Sequence, residues 1–459
     1  MTAPAVLSKS DTSTTTILGF AGIYFLVLLI LLPRLSLWLD EIHDLHGVRF
    51  VSFAQLPAYT ANDGGGVPLG AITQLLFVRA FGYSSLTGRL ASAVFSALAC
   101  LALGFICRRM SLRFPLIAMA IFATFPLQLR YATEARPYSE AVCFSVLCTL
   151  ALMWLTAKVT PLRCFVYLAT VVAGLYTQPF SFFAPLGHLV WLAVASSIPG
   201  RKRLLPVLSG LVIGAALLFV PWYMYAHQFW RASVDTGNVH FVFGGKELSL
   251  LAHELVGAGY FGTVLVLFLC FSGLVKGSLN TSQKQLWTVL LIIPLVGPLV
   301  ADAYFGYFVA IRQTIFLVPA LAIASALGIE TLFARKSVLG VLALLVLTCT
   351  LVAGDVGWFT KPRENWSEKA SLLKKGLSAG GCVIFVPSDA ESYFSFFDPE
   401  LKNLQCFSAS LPQNVWLAVS PYNAATDYPL RKAQLDRLGF KRRPLPTSQI
   451  GPQLESFER

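Results

Sequence analysis

Residues 17–41 read ILGFAGIYFLVLLILLPRLSLWLDE, and this stretch decides the fold. Residues 17–32 carry no charge and form the core of a segment that crosses a bilayer, for which about 20 predominantly apolar residues are needed. Pro33, Arg34 and Trp38 follow, residue types that suit a membrane–water boundary. The chain therefore leaves the lipid near Leu32, and Asp40 and Glu41 emerge together on the far side. A carboxylate pair fixed at an interface is a place where chemistry can face outward.

Composition extends this reading to the whole chain. Of 459 residues, 56% are hydrophobic and only 13% are charged, which defines an integral membrane protein with many spans. Residues 1–16 are polar and rich in Ser and Thr, with no positive cluster or small-residue cleavage site, so the first span is expected to stay as an anchor. The net charge of +12 comes from short Lys and Arg clusters between apolar runs, a topology signal that argues against a nucleic-acid partner. Seven of the nine cysteines lie in or directly beside the apolar stretches without a Cys-x-x-Cys pair and read as small buried hydrophobes. Cys382 and Cys406 lie in the soluble tail, where they can pair if oxidised.

Ten further apolar segments follow the first, at residues 89–107, 112–125, 138–157, 165–177, 182–198, 204–222, 255–275, 286–303, 309–333 and 338–353. The run 67–81 contains Gln74 and Arg79 and is expected to lie in the outer interface as a juxtamembrane helix. With that assignment the clusters at Arg108, Arg109 and Arg113, at Lys158 and Arg163, at 201–203, at Lys276 and Lys284, and at Arg335 and Lys336 all fall on the side of the N-terminus. The positive-inside rule then places the N-terminus in the cytoplasm and the C-terminus outside. The expected domains are a polar tail (1–16), a transmembrane domain (17–355) with a first outer loop at 33–88, and a small extracytoplasmic α/β domain (356–459). In the last, 382–387 and 415–420 read as strands, and 367–376 and 428–438 as helices.

The first outer loop holds Asp40, Glu41, His43, Asp44, His46 and Asp63. If a helix begins at Asp40, then Asp40, His43 and Asp44 share one face at spacings of three and four. Such a face can hold a divalent cation or present a general base; a solvated face of an interfacial helix has the same pattern. The second outer loop is short and runs Arg130, Tyr131, Ala132, Thr133, Glu134, Ala135, Arg136, Pro137, Tyr138. Arginine suits a phosphate at headgroup level, because its planar fork donates paired hydrogen bonds and stays charged.

Trp38-Leu39-Asp40-Glu41, Asp63, Pro68-Leu69, Phe81-Gly82, Arg89-Leu90 and Glu134-Ala135-Arg136-Pro137-Tyr138, in this order, resemble the polyprenyl-phosphate-sugar-dependent glycosyltransferases of the GT-C fold. The resemblance is to the protein-mannosyltransferase-like branch that includes the 4-amino-4-deoxy-L-arabinose transferase of lipid A. It is strongest over 31–154, and Arg312 and Asn365-Trp366 are similar in placement to bacterial members. It implies a polytopic GT-C-like protein of about eleven spans in the inner (plasma) membrane, with outer juxtamembrane helices. The implied activity is transfer of a hexose or pentose from a polyprenyl phosphate, with inversion, to a lipid, glycan or protein acceptor at the outer face.

By the same resemblance Asp40 would be the general base, and Glu41 would orient the acceptor or support a divalent metal such as Mg or Mn, with His43 and Asp44 as further ligands. Arg136 would hold the donor phosphate, with Arg89 and Arg312 as further candidates, while Glu134, Tyr138 and Asp63 would contact substrate. The chain departs from the pattern in two places. Gly66-Val67-Pro68-Leu69 stands where relatives carry His-Pro-Pro-Leu, and Gln178 stands where some carry His, so metal dependence is left open. The competing classes are a polytopic transporter or lipid flippase and a non-catalytic assembly protein. A transporter should concentrate ionisable residues at mid-span in repeated halves, and here the charges gather in outer loops.

Overall fold

The computed structural model describes residues 12–62, 66–195, 198–235, 255–305, 311–361, 363–378, 380–406, 411–421, 427–443 and 451–459. It comprises two compact units, Met1–Leu32 with Val51–Phe359, and Pro33–Phe50 with Thr360–Arg459. The start of the expected first outer loop thus groups with the C-terminal residues.

In chain order the first helices are α1 (Thr14–Leu31), α2 (Leu39–Phe50), α3 (Leu56–Asn62), α4 (Pro68–Phe81), α5 (Ser85–Arg109) and α6 (Pro115–Ala123). Then come α7 (Pro126–Ala132), α8 (Tyr138–Ala157), α9 (Pro161–Thr177), α10 (Phe183–Val194), α11 (Arg201–Asp235) and α12 (Gly259–Lys276). The series closes with α13 (Thr281–Phe305), α14 (Val318–Arg335), α15 (Ser337–Thr360), α16 (Trp366–Leu377), α17 (Ala390–Phe397) and α18 (Asp427–Arg437).

The first unit is a helical bundle, as apolar surroundings require, because a helix satisfies its own backbone hydrogen bonds. Among the described residues eight helices are long and apolar enough to cross a membrane, or up to nine if the pair α6 and α7, bent by 65°, counts as one span. Two shorter apolar helices, Pro161–Thr177 and Pro179–Val194, occupy the fifth and sixth expected segments. At about 1.5 Å per residue each reaches roughly 25 Å, near the lower limit for a span. Helix α4, with 14 residues, is shorter still and fits the expected juxtamembrane helix.

Local chemistry sets the helix ends. Ser84 and Thr87 form a capping box that opens α5, and Pro115, Pro126 and Pro161 sit in first turns, where a missing N–H does no harm. Pro126 also causes the bend, since it forces Phe125 into an extended conformation and stops α6. Pro294 and Pro298 lie inside α13, whereas Pro319 sits in the first turn of α14. Helix α14 is the centre of the bundle, with every residue from Val318 to Glu330 buried. It meets α12 backbone to backbone: a methyl group at Gly273 would collide with the Ala324 carbonyl and the Gly328 amide.

The second unit contains α2, α16, α17, α18 and a four-stranded sheet of β1 (Cys382–Val386), β2 (Asn414–Val419), β3 (Lys441–Arg443) and β4 (Gln453–Glu458). The strand order is β1-β2-β4-β3. Strands β1 and β2 are parallel with Ile384 opposite Leu417, and the β2/β4 and β3/β4 pairs are antiparallel. Val386, Val415, Leu417, Leu435 and Phe457 are buried together in its core. Cys382 and Cys406 are joined as a disulfide.

Candidate active site

In the first unit the candidate chemistry gathers where α7 hands over to α8. The Pro126 bend sets the direction of α7, and a buried polar chain fixes it. Gln128 donates to the Ser96 hydroxyl at 2.9 Å, and that hydroxyl is hydrogen-bonded to the Tyr24 hydroxyl at 2.8 Å, tying α7 to α5 and α1. One turn further on, Arg130 Nε lies 3.5 Å from the carboxylate of Glu134, whose side chain is wholly buried. The Arg130 guanidinium also sits 4.0 Å from the ring centroid of Trp358, in α15.

Arg136 leads into α8. Its amide donates to the Glu134 carbonyl at 2.8 Å, its own carbonyl accepts from the Ser92 hydroxyl at 3.0 Å, and its guanidinium lies 5.7 Å from the Tyr138 ring centroid. The Tyr131 and Tyr138 rings are 4.6 Å apart, bridging the two helices. Arg312 opens the 3-10 segment Ile311–Leu317, which packs against α7 and α8. Tyr131 lies within electrostatic reach of Arg130, Glu134, Tyr138 and Arg312. Three guanidinium groups and one buried carboxylate therefore meet around one short connection. Such a cluster can take an anion, because guanidinium groups donate paired, charge-assisted hydrogen bonds.

Arg89 is fully buried, and its Nη1 donates at 2.9 Å to the carbonyl of Leu32, at the end of α1. One pairing and one group at this site escaped the sequence reading. Arg130 emerges as the ion-pair partner of Glu134, a pairing signalled by their spacing of four. Glu140, in the first turn of α8, is buried beside Thr73 of α4. A carboxylate in an apolar segment is the signal that could have found it.

In the second unit α2 begins at Leu39, so Asp40, His43 and Asp44 do share a helical face. Ile42, Leu45 and Val48 form the buried face, and Glu41 is buried with them. Glu41 Oε2 accepts the Trp38 amide at 3.4 Å. At the far end Arg49 donates to the Phe396 carbonyl and stacks 4.9 Å from the Phe50 ring and 5.4 Å from that of Phe396. Burial, joined by the charges of Lys402, His43 and Arg49, holds His46 below its ordinary range, with Glu391 opposing.

Asp40, Glu41, His43 and Asp44 are thus carried on one helix of the second unit, while Arg89, Glu134, Arg136, Tyr138 and Arg312 belong to the first. Asp63 lies outside the described residues. Among the described residues no three His, Cys, Asp or Glu side chains are gathered so as to hold a metal ion. Glu41, in particular, already accepts a backbone amide.

No family model matches the chain, and no curated protein matches it in sequence. Among solved structures it is similar to ArnT from Cupriavidus metallidurans in the apo state, with a TM-score of 0.66 at 11% identity, covering 96% of this chain and 98% of that one. The oligosaccharyltransferase AglB from Archaeoglobus fulgidus, in complex with an inhibitory peptide and a dolichol-phosphate, gives a TM-score of 0.56 at 11% identity, covering 88% of this chain and 69% of that one. Arabinofuranosyltransferase AftD from Mycobacteria gives 0.58 at 13% identity, covering 98% of this chain but 40% of that one. The protein has the GT-C fold of these polyprenyl-phosphate-sugar glycosyltransferases.

Proposed function

We propose that this chain is a membrane glycosyltransferase that takes a sugar from a polyprenyl phosphate and attaches it to an acceptor hydroxyl at the outer face of the inner (plasma) membrane. The observation that carries this reading is the GT-C fold over 96% of the chain, on which the arginine cluster sits at the α7–α8 connection. ArnT from Cupriavidus metallidurans is also known bound to undecaprenyl phosphate, and AglB to a dolichol-phosphate, which supports a lipid phosphate as the donor's carrier. The Cys382–Cys406 disulfide supports an extracytoplasmic second unit, because such bonds persist in oxidising compartments.

In this reading the acceptor oxygen forms a bond to the anomeric carbon while the bond from that carbon to the phosphate oxygen breaks, which inverts the centre. Asp40 takes the acceptor proton, a contribution of about 10²–10⁴-fold for a well-placed base. The electron pair of the broken bond leaves with the polyprenyl phosphate, whose growing charge Arg136 and Arg312 stabilise. Glu134 and Arg130 hold the turn that carries Arg136, and Arg89 fixes the end of α1 behind it. As the resemblance implies, Tyr138 and Asp63 contact the sugar.

The test is release of free polyprenyl phosphate from a panel of polyprenyl-phosphate sugars, with native membrane extract supplying acceptors. The wild-type protein is expected to turn over at least one donor, and Arg136→Ala to lower that turnover by about 10²-fold or more. If no donor on the panel is consumed, the transferase assignment gives way to a transporter or flippase without covalent chemistry.

A further inference from the structure

Glu364 has no part in the sugar transfer described above, yet its side chain reaches the start of α2. We propose that Glu364 is a positioning residue, capping α2 from 325 residues away and thereby fixing where Asp40 is presented. The inference rests on the assignment of Asp40 as general base.

Helix α2 needs an outside cap because of its own sequence. Trp38 occupies the N-cap position, its carbonyl accepting the Ile42 amide at 3.0 Å. A tryptophan side chain has no oxygen, so it cannot accept the free amides of the first turn as Ser, Thr, Asp or Asn would. Glu41, three positions on, reaches back to the Trp38 amide, which is half of a capping box. The Leu39 amide is taken instead by Glu364 Oε2 at 3.2 Å. Leu39 is covalently joined to Asp40, so this bond anchors the peptide from which the candidate base projects.

Glu364 is itself restrained. The same Oε2 accepts the Trp366 indole N–H at 2.7 Å, and the Glu364 carbonyl accepts the Ser36 hydroxyl at 2.7 Å. Gly451, at φ +85°, presses on its backbone so closely that an added Cβ would lie 2.9 Å from the Glu364 Cα. Trp366 is in turn fully buried between the rings of Tyr393 and Phe394, at 5.4 and 5.3 Å. A rigid aromatic core is therefore linked through one carboxylate oxygen to the first amide of α2. The negative charge also suits a helix N-terminus. A base must lie within hydrogen-bond reach of its proton, and an error of about 1 Å in such placement can lower a rate by about 10²-fold.

The test compares full-length wild type with Glu364→Ala, Glu364→Gln and Asp40→Asn in the donor-turnover assay, together with amide hydrogen exchange. Glu364→Ala is expected to lower kcat about tenfold or more while leaving the donor KM within about twofold, because the base moves and the phosphate site does not. Glu364→Gln keeps an acceptor oxygen and is expected to stay within about threefold of wild type. Exchange at the amides of Leu39 to Glu41 should accelerate in Glu364→Ala while the amides of β1 keep their protection. Unchanged kcat in Glu364→Ala would overturn the proposal, as would loss of protection in β1 with equal damage from Ala and Gln, the mark of a residue that merely holds the fold. A wild-type rate in Asp40→Asn would remove the base assignment and this inference with it. A strong effect of Asp40→Asn with none of Glu364→Ala would remove the inference alone.

Discussion

The α7–α8 connection and the start of α2 both carry candidate chemistry, but they are built in opposite ways. The first is local: Arg130 and Glu134 are four residues apart across the end of α7, and Arg136 and Tyr138 follow within four residues. The second is assembled at a distance, its leading amide held by a carboxylate 325 residues away. A local cluster survives as a sequence pattern. A cap supplied from elsewhere leaves no pattern at the site it serves. The difference also separates the failures expected on mutation: breaking the first should destabilise the turn, and loosening the second should misplace a group while the fold persists.

The largest expected effect on stability falls in the first region. Arg130→Ala removes one guanidinium from beside the buried Glu134 carboxylate, and because Arg130 is a quarter exposed the cost is expected below the roughly 3–5 kcal/mol of breaking a fully buried ion pair. Thermal unfolding of the detergent-solubilised protein should show a clear loss in midpoint. A midpoint equal to wild type would mean that the pair contributes nothing and that the two regions do not differ in this way.

A smaller effect belongs to the second region and depends on pH. Burial and neighbouring positive charge lower the His46 pKa from its ordinary 6.5. The folded state therefore stays neutral at His46 where the unfolded chain takes up a proton, so the unfolded state binds more protons and stability rises with pH. The contribution is complete above about pH 6.5 and is lost as pH falls through the lower folded value. Protection of β1 amides in hydrogen exchange should thus decline as pH falls below about 6.5, and His46→Gln should flatten that decline. An unchanged slope in the variant would assign the decline to another group.

Much of the bundle was legible because lipid imposes a simple rule of length and polarity. All eleven apolar segments contain helix, and residues 67–81 form the short helix expected from Gln74 and Arg79. The sixth segment ends earlier than expected, at Val194, and Gln178, extended before Pro179, separates it from α9. In the second unit β1, β2, α16 and α18 follow apolar patterns that the sequence displays. Strand β3 has none, since Lys441, Arg442 and Arg443 are all exposed, and it exists by pairing with β4. The candidate site divides along the same line. Asp40, Glu134 and Arg136 are named by motif, but the contact between Leu39 and Glu364 arises only from tertiary structure.

The most direct measurement of the central claim is donor turnover by Asp40→Asn, with purified protein, polyprenyl-phosphate sugar and native acceptor extract. Asparagine keeps the size of the side chain and removes its ability to take a proton at neutral pH, so the fold and the arginine cluster should be unaffected. The account predicts that polyprenyl phosphate release falls by about 10²–10⁴-fold in a variant whose unfolding midpoint matches wild type. Release at the wild-type rate by that folded variant would contradict it, because the acceptor proton would then be going elsewhere.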